Sequence, residues 1–188
     1  MFLNNTIEFN HTELYNKLDI KIVNNKLQHN LIEPLESFLA KRSTNLDIEL
    51  GNKAIQDFII QVNFYQKQNF TFGILTMDNI YVVDEHIFLI KNTELLPIIE
   101  KYYISINHVY SKNNILLSPE LRNNNEIPFK TRNTVCYYSI GKIVQKIIFK
   151  IEEPTEEQIR STLNNSPLYF CLLRAIKEKP THRYLLYI

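Results

Sequence analysis

The stretch from Phe70 to Asn92, FTFGILTMDNIYVVDEHIFLIKN, holds the side chains that come nearest to an enzyme site. Asp78 and Asn79 stand just before a short apolar run, and Asp84 and Glu85 stand in the turn after it. A carboxylate can accept a proton from a substrate, and carboxylate and amide oxygens can bind Mg²⁺. One hypothesis is therefore an enzyme with Asp78 as its base and Asp84 or Glu85 as its metal ligand. Alternatively, Asn79 is a turn residue that precedes a strand.

Other residue types give little support for catalysis or for metal binding. The five histidines show no i, i+4 pair and no cysteine at ligand spacing, so we expect no metal site. Only three glycines occur, Gly51, Gly73 and Gly141, which excludes the phosphate-binding loops built from clustered glycines. Cys136 and Cys171 lie in apolar surroundings and are predicted to be buried thiols rather than a disulfide.

Length and charge exclude further classes of function. The chain has 188 residues, a net charge of +1 and scattered lysines and arginines, so we expect one compact unit that binds no nucleic acid. No apolar run reaches membrane-spanning length, and the expected location is soluble and intracellular. The heavy use of Asn, Ile and Lys is typical of AT-rich coding, as in some large DNA viruses, protists and bacteria.

Hydrophobic spacing and capping residues predict a mainly helical domain with one small β-hairpin, an α+β fold dominated by helices. Apolar residues at three-four spacing predict two long helices, at 54–68 and 138–149. Prolines and capping residues predict shorter helical segments, at 35–41, from Thr155 onward, at 168–176 and at 183–188.

Strand signals are sparse. Ile80–Val83 and Ile87–Ile90 predict a hairpin whose connection is Asp84, Glu85 and His86. Leu18–Val23 alternates and predicts one further strand. Residues 92–135 lack sustained periodicity and are predicted to form a long loop with one helical turn, a kind of segment that often carries function.

Four short motifs occur in the order in which the protein kinase family has them. They are the loop ending in Asn79, Ser118-Pro119-Glu120, Tyr138-Ser139-Ile140-Gly141, and Arg183 after Pro180. From about residue 31 onward the chain therefore resembles the C-terminal lobe of the protein kinase family. The resemblance implies a structural ion pair between Glu120 and Arg183, which in the family ties the activation segment to the base of the lobe.

The resemblance also implies that the catalytic groups are missing. The position of the catalytic aspartate is Ile74, and that of the lysine two residues later is Thr76. The position of the magnesium-binding aspartate after the hairpin is Lys91, a cation that would repel the metal. Cys136 stands where the family has the aspartate that braces the catalytic loop.

Residues 1–30 are too few for the β-rich N-terminal lobe of an active kinase, and they contain no glycine. We interpret them as a reduced N-terminal segment before a lobe-like domain at 31–188. With no loop to cover phosphates, neither nucleotide nor any other cofactor is expected.

The sequence thus predicts a pseudokinase with no catalytic residue, acting as a protein-interaction or structural module. Loss of a lobe should bare apolar surface, which argues for a protein partner, self-association or a larger assembly such as a virus particle. The alternative is a divergent serine/threonine kinase-like enzyme in which Asp78 and Asp84 have taken over the chemistry.

Overall fold

The computed structural model describes residues 10–23, 26–42, 45–91, 93–151 and 153–188, and it shows a mixed α+β fold with 43% helix and 18% strand. Its helices are α1 Thr12–Lys17, α2 Leu35–Ala40, α3 Ile48–Gln66, α4 Pro119–Asn123, α5 Val135–Phe149, α6 Glu156–Leu163 and α7 Pro167–Ala175. Its strands are β1 Lys21–Val23, β2 Lys26–Gln28, β3 Ile32–Pro34, β4 Phe70–Phe72, β5 Ile80–Val83, β6 Ile87–Ile90, β7 Leu95–Pro97, β8 Tyr103–Ile106 and β9 Phe129–Arg132. Short 3-10 turns cover Met77–Asn79 and Pro180–His182.

The strands of the described residues form four small antiparallel sheets. Strand β5 lies between β3 and β6, while β1–β2, β4–β7 and β8–β9 are two-stranded. In the β5–β6 hairpin, Val83 pairs with Ile87, so the predicted three-residue connection is confirmed. The α+β class is confirmed too, but the expectation of only one small hairpin is wrong because four other strand pairs are present among the described residues.

Helix α5 forms the centre of the main core because it is apolar on nearly all its sides. It packs against both α3 and α7. A Cβ atom on Gly51 of α3 would lie 2.3 Å from Cγ1 of Ile148 in α5, so this close approach of the two helices requires a glycine. Leu14, Leu18 and Ile20 belong to the same core cluster as these helices.

Helix α3 also closes the outer edge of the three-stranded sheet with polar side chains. The N–H of Phe88 donates to Asp57 Oδ2 at 2.9 Å, and the N–H of Ile90 donates to Gln61 Oε1 at 2.8 Å. Gln61 Nε2 in turn donates to the carbonyl of Phe88 at 2.8 Å. These buried side chains take the hydrogen-bonding place of a further strand, so the edge of β6 is covered.

Five of the predicted helices are present, although several of their ends differ. Helix α3 begins at Ile48, earlier than expected, because Asp47 caps it by accepting the N–H of Leu50 at 3.1 Å. The capping box before α6 is confirmed: the N–H of Thr155 donates to Gln158 Oε1 at 2.8 Å, and the N–H of Gln158 donates to Thr155 Oγ1 at 3.1 Å.

The prediction of a long loop over 92–135 is wrong, although the single helical turn expected within it is present as α4. This segment contains β7, β8, α4 and β9, and β8 pairs with β9 from Tyr103↔Arg132 to Ile106↔Phe129. Strands of three or four residues are too short to show a period, and their partners lie elsewhere in the chain. The strands of this region therefore form because they pair with strands that are distant in sequence.

Two further expectations about local structure need correction. Residues 183–188 have no helical turns: after the 3-10 turn Pro180–His182 they alternate between covered and exposed side chains. The predicted strand Leu18–Val23 is a strand only over Lys21–Val23, and the unexpected helix α1 precedes it.

Cys136 and Cys171 are both free and buried, which confirms the prediction for the thiols. Among the described residues, no helix combines the length and the apolar character needed to cross a membrane.

Candidate functional site

Three of the predicted site residues lie at the same end of the β5–β6 hairpin. The N–H of Lys91 donates to the carbonyl of Asn79 at 2.7 Å, next to the Ile80↔Ile90 pair. The hydroxyl of Thr93 donates to the carbonyl of Ile74 at 2.8 Å, which draws the segment before β5 toward the same end. The chemistry available at this end therefore depends on the side chains of Ile74, Asn79 and Lys91.

Ile74 contributes a hydrocarbon to this end of the hairpin. Its half-buried side chain packs against a second apolar cluster that includes Leu96 and Leu117. A branched alkyl group has no lone pair with which to accept a proton. Ile74 therefore acts as a packing residue and cannot serve as a general base.

Asn79 uses its side-chain oxygen to hold its own turn. Its Oδ1 accepts the N–H of Thr76 at 2.9 Å and the hydroxyl of Thr76 at 3.0 Å. The N–H of Asn79 returns a bond to the carbonyl of Thr76 at 3.2 Å. The pair thus stabilises the 3-10 turn Met77–Asn79, in agreement with the interpretation of Asn79 as a turn residue.

Lys91 is exposed, and its Nζ lies 5.6 Å from the centroid of the Tyr81 ring. This distance allows a cation–π contact, which is weak at an exposed site. The charge of Lys91 is of the wrong sign to bind Mg²⁺.

Asp78 and Asp84 lie at opposite ends of strand β5. The four residues of this strand alone span roughly 13 Å. The carboxylate of Asp84 also accepts the N–H groups of Asn30 at 2.8 Å and Leu31 at 2.9 Å, which lower its pKa and anchor the start of β3. Asp78 and Asp84, the two carboxylates of the alternative enzyme hypothesis, are therefore far apart in the structure. The carboxylate of Asp84 stabilises the start of β3.

One carboxylate near Ile74 was overlooked by sequence reasoning. The carbonyl of Glu94 accepts the N–H of Gly73 at 3.1 Å. Burial raises the pKa of Tyr110, and the negative charge of the Glu94 carboxylate adds to this rise. Glu94 itself is exposed. Within the described residues, no three His, Cys, Asp or Glu side chains are arranged as metal ligands.

Glu120 and Arg183 meet in a two-pronged ion pair. Nη1 of Arg183 donates to Glu120 Oε1 at 2.6 Å, and Nη2 donates to Oε2 at 2.7 Å. Nε of Arg183 donates to the carbonyl of Lys177 and Nη2 also donates to the carbonyl of Glu178, both at 2.6 Å. Arg183 is only 2% exposed, so this cation is buried, and four hydrogen bonds hold it.

The first turns of helix α5 contact this ion pair and the segments beside it. The guanidinium of Arg183 lies 5.3 Å from the centroid of the Tyr138 ring, and the hydroxyl of Ser139 donates to the carbonyl of Leu116 at 2.7 Å. The hydroxyl of Thr134 donates to the carbonyl of Pro180 at 2.9 Å. The first turns of α5 thus bind the segment before Glu120 and the segment before Arg183.

Cys136 connects α5 to the strand that leads into the Ile74 segment. Its Sγ lies 3.5 Å from the hydroxyl of Thr71, which donates to the carbonyl of Asn133 at 3.1 Å. Burial raises the pKa of the Cys136 thiol to about 11, so the thiol is neutral at pH 7 and gives only weak hydrogen bonds. Thr71 therefore provides most of the polar contact here.

Sequence reasoning also missed Asp57 and Gln61, which cover the edge of β6. A signal was present, because two polar residues at i, i+4 lie within the otherwise apolar stripe of α3. Such residues are buried only when they find partners, and the partners were backbone groups of a distant strand.

No protein-family model and no curated protein sequence matches this chain. Its function therefore has to be argued from the side chains described above.

Proposed function

We propose that this protein is a catalytically inactive kinase-like protein, a pseudokinase, that serves as a protein-interaction or structural module. The observation that carries the proposal is a contrast between two sets of positions. Where the kinase resemblance calls for a structural ion pair, Glu120 and Arg183 make a buried two-pronged contact. Where it calls for a base and a metal ligand, the chain has Ile74 and the exposed Lys91.

Surface properties support a role in binding proteins. The segment that carries β8, α4 and β9 exposes three large apolar side chains, with 43% exposure for Tyr102, 51% for Val109 and 52% for Ile127. Val109 and Ile127 both lie beyond the Ile106↔Phe129 end of the β8–β9 pair, and exposed apolar groups favour association when they lie close together on a surface. The expected partner is another protein, a second copy of the chain or a larger assembly such as a virus particle.

Nucleotide binding is the property that most directly tests this proposal. Thermal unfolding of the purified chain with ATP should give the same Tm whether Mg²⁺ is present or absent, because Ile74 and Lys91 cannot hold the metal against the triphosphate at the end of the hairpin. A ligand at 100 times its Kd would stabilise the folded state by about 2.7 kcal/mol and give a clear shift. An active protein kinase under the same conditions provides the positive control.

A rise in Tm with ATP that requires Mg²⁺ would contradict the proposal. The variants Asp78→Asn, Asp84→Asn and Glu94→Gln would then show which carboxylate is responsible. Light scattering on the same sample tests self-association, since a second copy as partner requires a mass above that of one chain.

A further inference from the structure

A basic pocket lies between helix α2, the end of helix α5 and the turn at Met77. It has a volume of about 370 Å³. Its lining consists of Glu36, Leu39, Ala40, Arg42, Met77, Lys146 and Lys150. Three of these residues are cations and one is an anion, so the pocket is positive although the whole chain carries a net charge of only +1.

Lys150 is the unusual member of this lining. Its ammonium nitrogen is buried and has no hydrogen-bond partner within the part of the chain that the structure describes. An ammonium group has three donors, and burying it without partners is costly. Burial lowers its pKa, while Asp47 raises it and Arg42 lowers it.

The charged groups around Lys150 do not offset the free-energy cost of burying its ammonium group. Asp47 accepts the N–H of Leu50 at 3.1 Å and lies 3.6 Å from Nε of Arg42, so its carboxylate already serves the start of α3 and a second cation. The guanidinium of Arg42 lies 4.8 Å from the centroid of the Phe38 ring, at the side of the pocket. The Nζ of Lys150 is covered in the free protein, so an anion that enters the pocket has to draw this ammonium group toward it, and it then supplies the acceptors that the group lacks.

The backbone at Lys150 adds a second cost. This residue ends helix α5 with φ 58° and ψ 14°, in the left-handed region where glycine is favoured. A lysine is thus strained there and also buries an unsatisfied charge. Strain of this kind is concentrated at binding and catalytic sites.

The uncharged surface of the pocket indicates the size and polarity of the ligand. Leu39, Ala40 and Met77 give an apolar wall. A second pocket of about 350 Å³ shares Glu36, Met77 and Lys146 with the first and continues toward Asn113 and Asn114. The combined space is large enough for a head group together with an attached body.

We propose that this pocket binds a small organic anion, with a phosphate or carboxylate head on Lys150 and an apolar body against Leu39 and Met77. The anion would supply the acceptors that the ammonium group of Lys150 lacks, and Arg42 and Lys146 would add favourable charge. This inference is independent of the proposed function, because it uses other residues and would hold whether or not the protein binds ATP.

The test uses the full chain, NMR titration and four probes. Phenyl phosphate and benzoate carry a head and a body, inorganic phosphate carries only a head, and benzyl alcohol carries only a body. We expect shifts at Leu39, Lys146 and Lys150 with phenyl phosphate or benzoate, at least tenfold weaker binding of inorganic phosphate, and no saturable binding of benzyl alcohol. The stronger of the first two probes identifies the head group.

Variants at two lysines provide the matched comparison. Lys150→Met keeps an unbranched side chain, shorter by one atom, and removes the charge, whereas Lys179→Met makes the same change at an exposed position outside the pocket. We expect Lys150→Met to weaken binding of the better probe at least tenfold and to raise the Tm of the free protein. We expect Lys179→Met to change the affinity less than twofold.

Two results would overturn the proposal. The first is equal affinity of the wild type and Lys150→Met, or no saturable binding by the wild type. The second is a lower Tm for Lys150→Met, which would mean that Lys150 already has a stabilising partner. If Lys150→Met does not fold, the pKa of Lys150 in the wild-type protein is measured by NMR with and without the anion. A bound anion must raise this pKa, so an unchanged pKa at saturation contradicts the proposal.

Discussion

Two regions of the molecule use their polar side chains in opposite ways. At the end of the β5–β6 hairpin, Asn79 binds Thr76, only three residues away, and holds a single turn. At the base of α5, Arg183 binds Glu120 across 63 residues of sequence and joins segments from distant parts of the chain. The first region organises itself locally, while the second organises the fold.

This difference teaches where changes in sequence are tolerated. A local turn constrains few residues, so substitutions of the side chains around it, such as Ile74 and Lys91, should change the fold little. A buried ion pair constrains both partners, because the loss of one leaves the other charged and unsatisfied. We expect the two regions to respond very differently to substitution.

The largest expected effect is at the ion pair. Arg183→Ala and Glu120→Ala should each lower the free energy of unfolding by about 3–5 kcal/mol. Glu120→Ala leaves the buried guanidinium of Arg183 without its counter-ion, and Arg183→Ala leaves the partly covered carboxylate of Glu120 and two backbone carbonyls without their donor. The double variant should lose less than the sum of the two, because the second change removes the orphaned charge. Urea denaturation measures all three values.

Arg174→Ala is the control for the ion pair, since Arg174 is exposed on α7 and should change stability by no more than about 0.5 kcal/mol. Additive losses in the double variant, or small losses in the single ones, would remove the contrast between the two regions.

An intermediate effect is expected at Asp57, which links α3 to the hairpin. Burial raises the pKa of Asp57 above its ordinary value of 3.8, although Lys53 and the N–H of Phe88 oppose this. A raised pKa in the folded state means that the contribution of Asp57 to stability is greatest below pH 3.8 and declines as the pH rises through the folded-state pKa. Asp57→Asn does not titrate, so its stability relative to the wild type should improve with increasing pH over this range.

The measurement for Asp57 is urea denaturation of both proteins at a series of pH values. Asp57→Ala, which removes the acceptor for Phe88, should cost about 1–3 kcal/mol at every pH. A stability difference between Asp57→Asn and the wild type that moves in the opposite direction with pH would show that Lys53 dominates over burial.

The smallest effects are expected at the end of the hairpin. Asn79→Ala removes the acceptor for both donors of Thr76 and should cost about 1–2 kcal/mol. Lys91→Ala is the matched control at the same end of the hairpin, just after β6. It removes an exposed side chain and should change the free energy of unfolding by about 0.5 kcal/mol or less. Thermal or urea unfolding measures the stability of both variants. If Lys91→Ala lowered the free energy of unfolding as much as Arg183→Ala does, the end of the hairpin would not be held by local contacts alone.

Particular residues show how far sequence patterns predicted the site. Ser118-Pro119-Glu120 and the arginine after Pro180 indicated an ion pair whose members are far apart in sequence, and the structure places these two side chains in contact. Asp84 was a candidate metal ligand, but its carboxylate accepts backbone N–H groups of residues 30 and 31. The sequence could not show this, because those partners come close only when β3 pairs with β5.

The sequence by itself determined the helices whose apolar stripes repeat over several turns, and the hairpin whose strands follow one another. In those elements the interactions that select the structure are local, or the periodicity records which face is buried. Only the tertiary structure decided the strands between residues 92 and 135, the extended segment after Arg183 and the burial of Lys150. Each of these depends on neighbours that the fold supplies from distant parts of the chain, and no local pattern encodes such a neighbour.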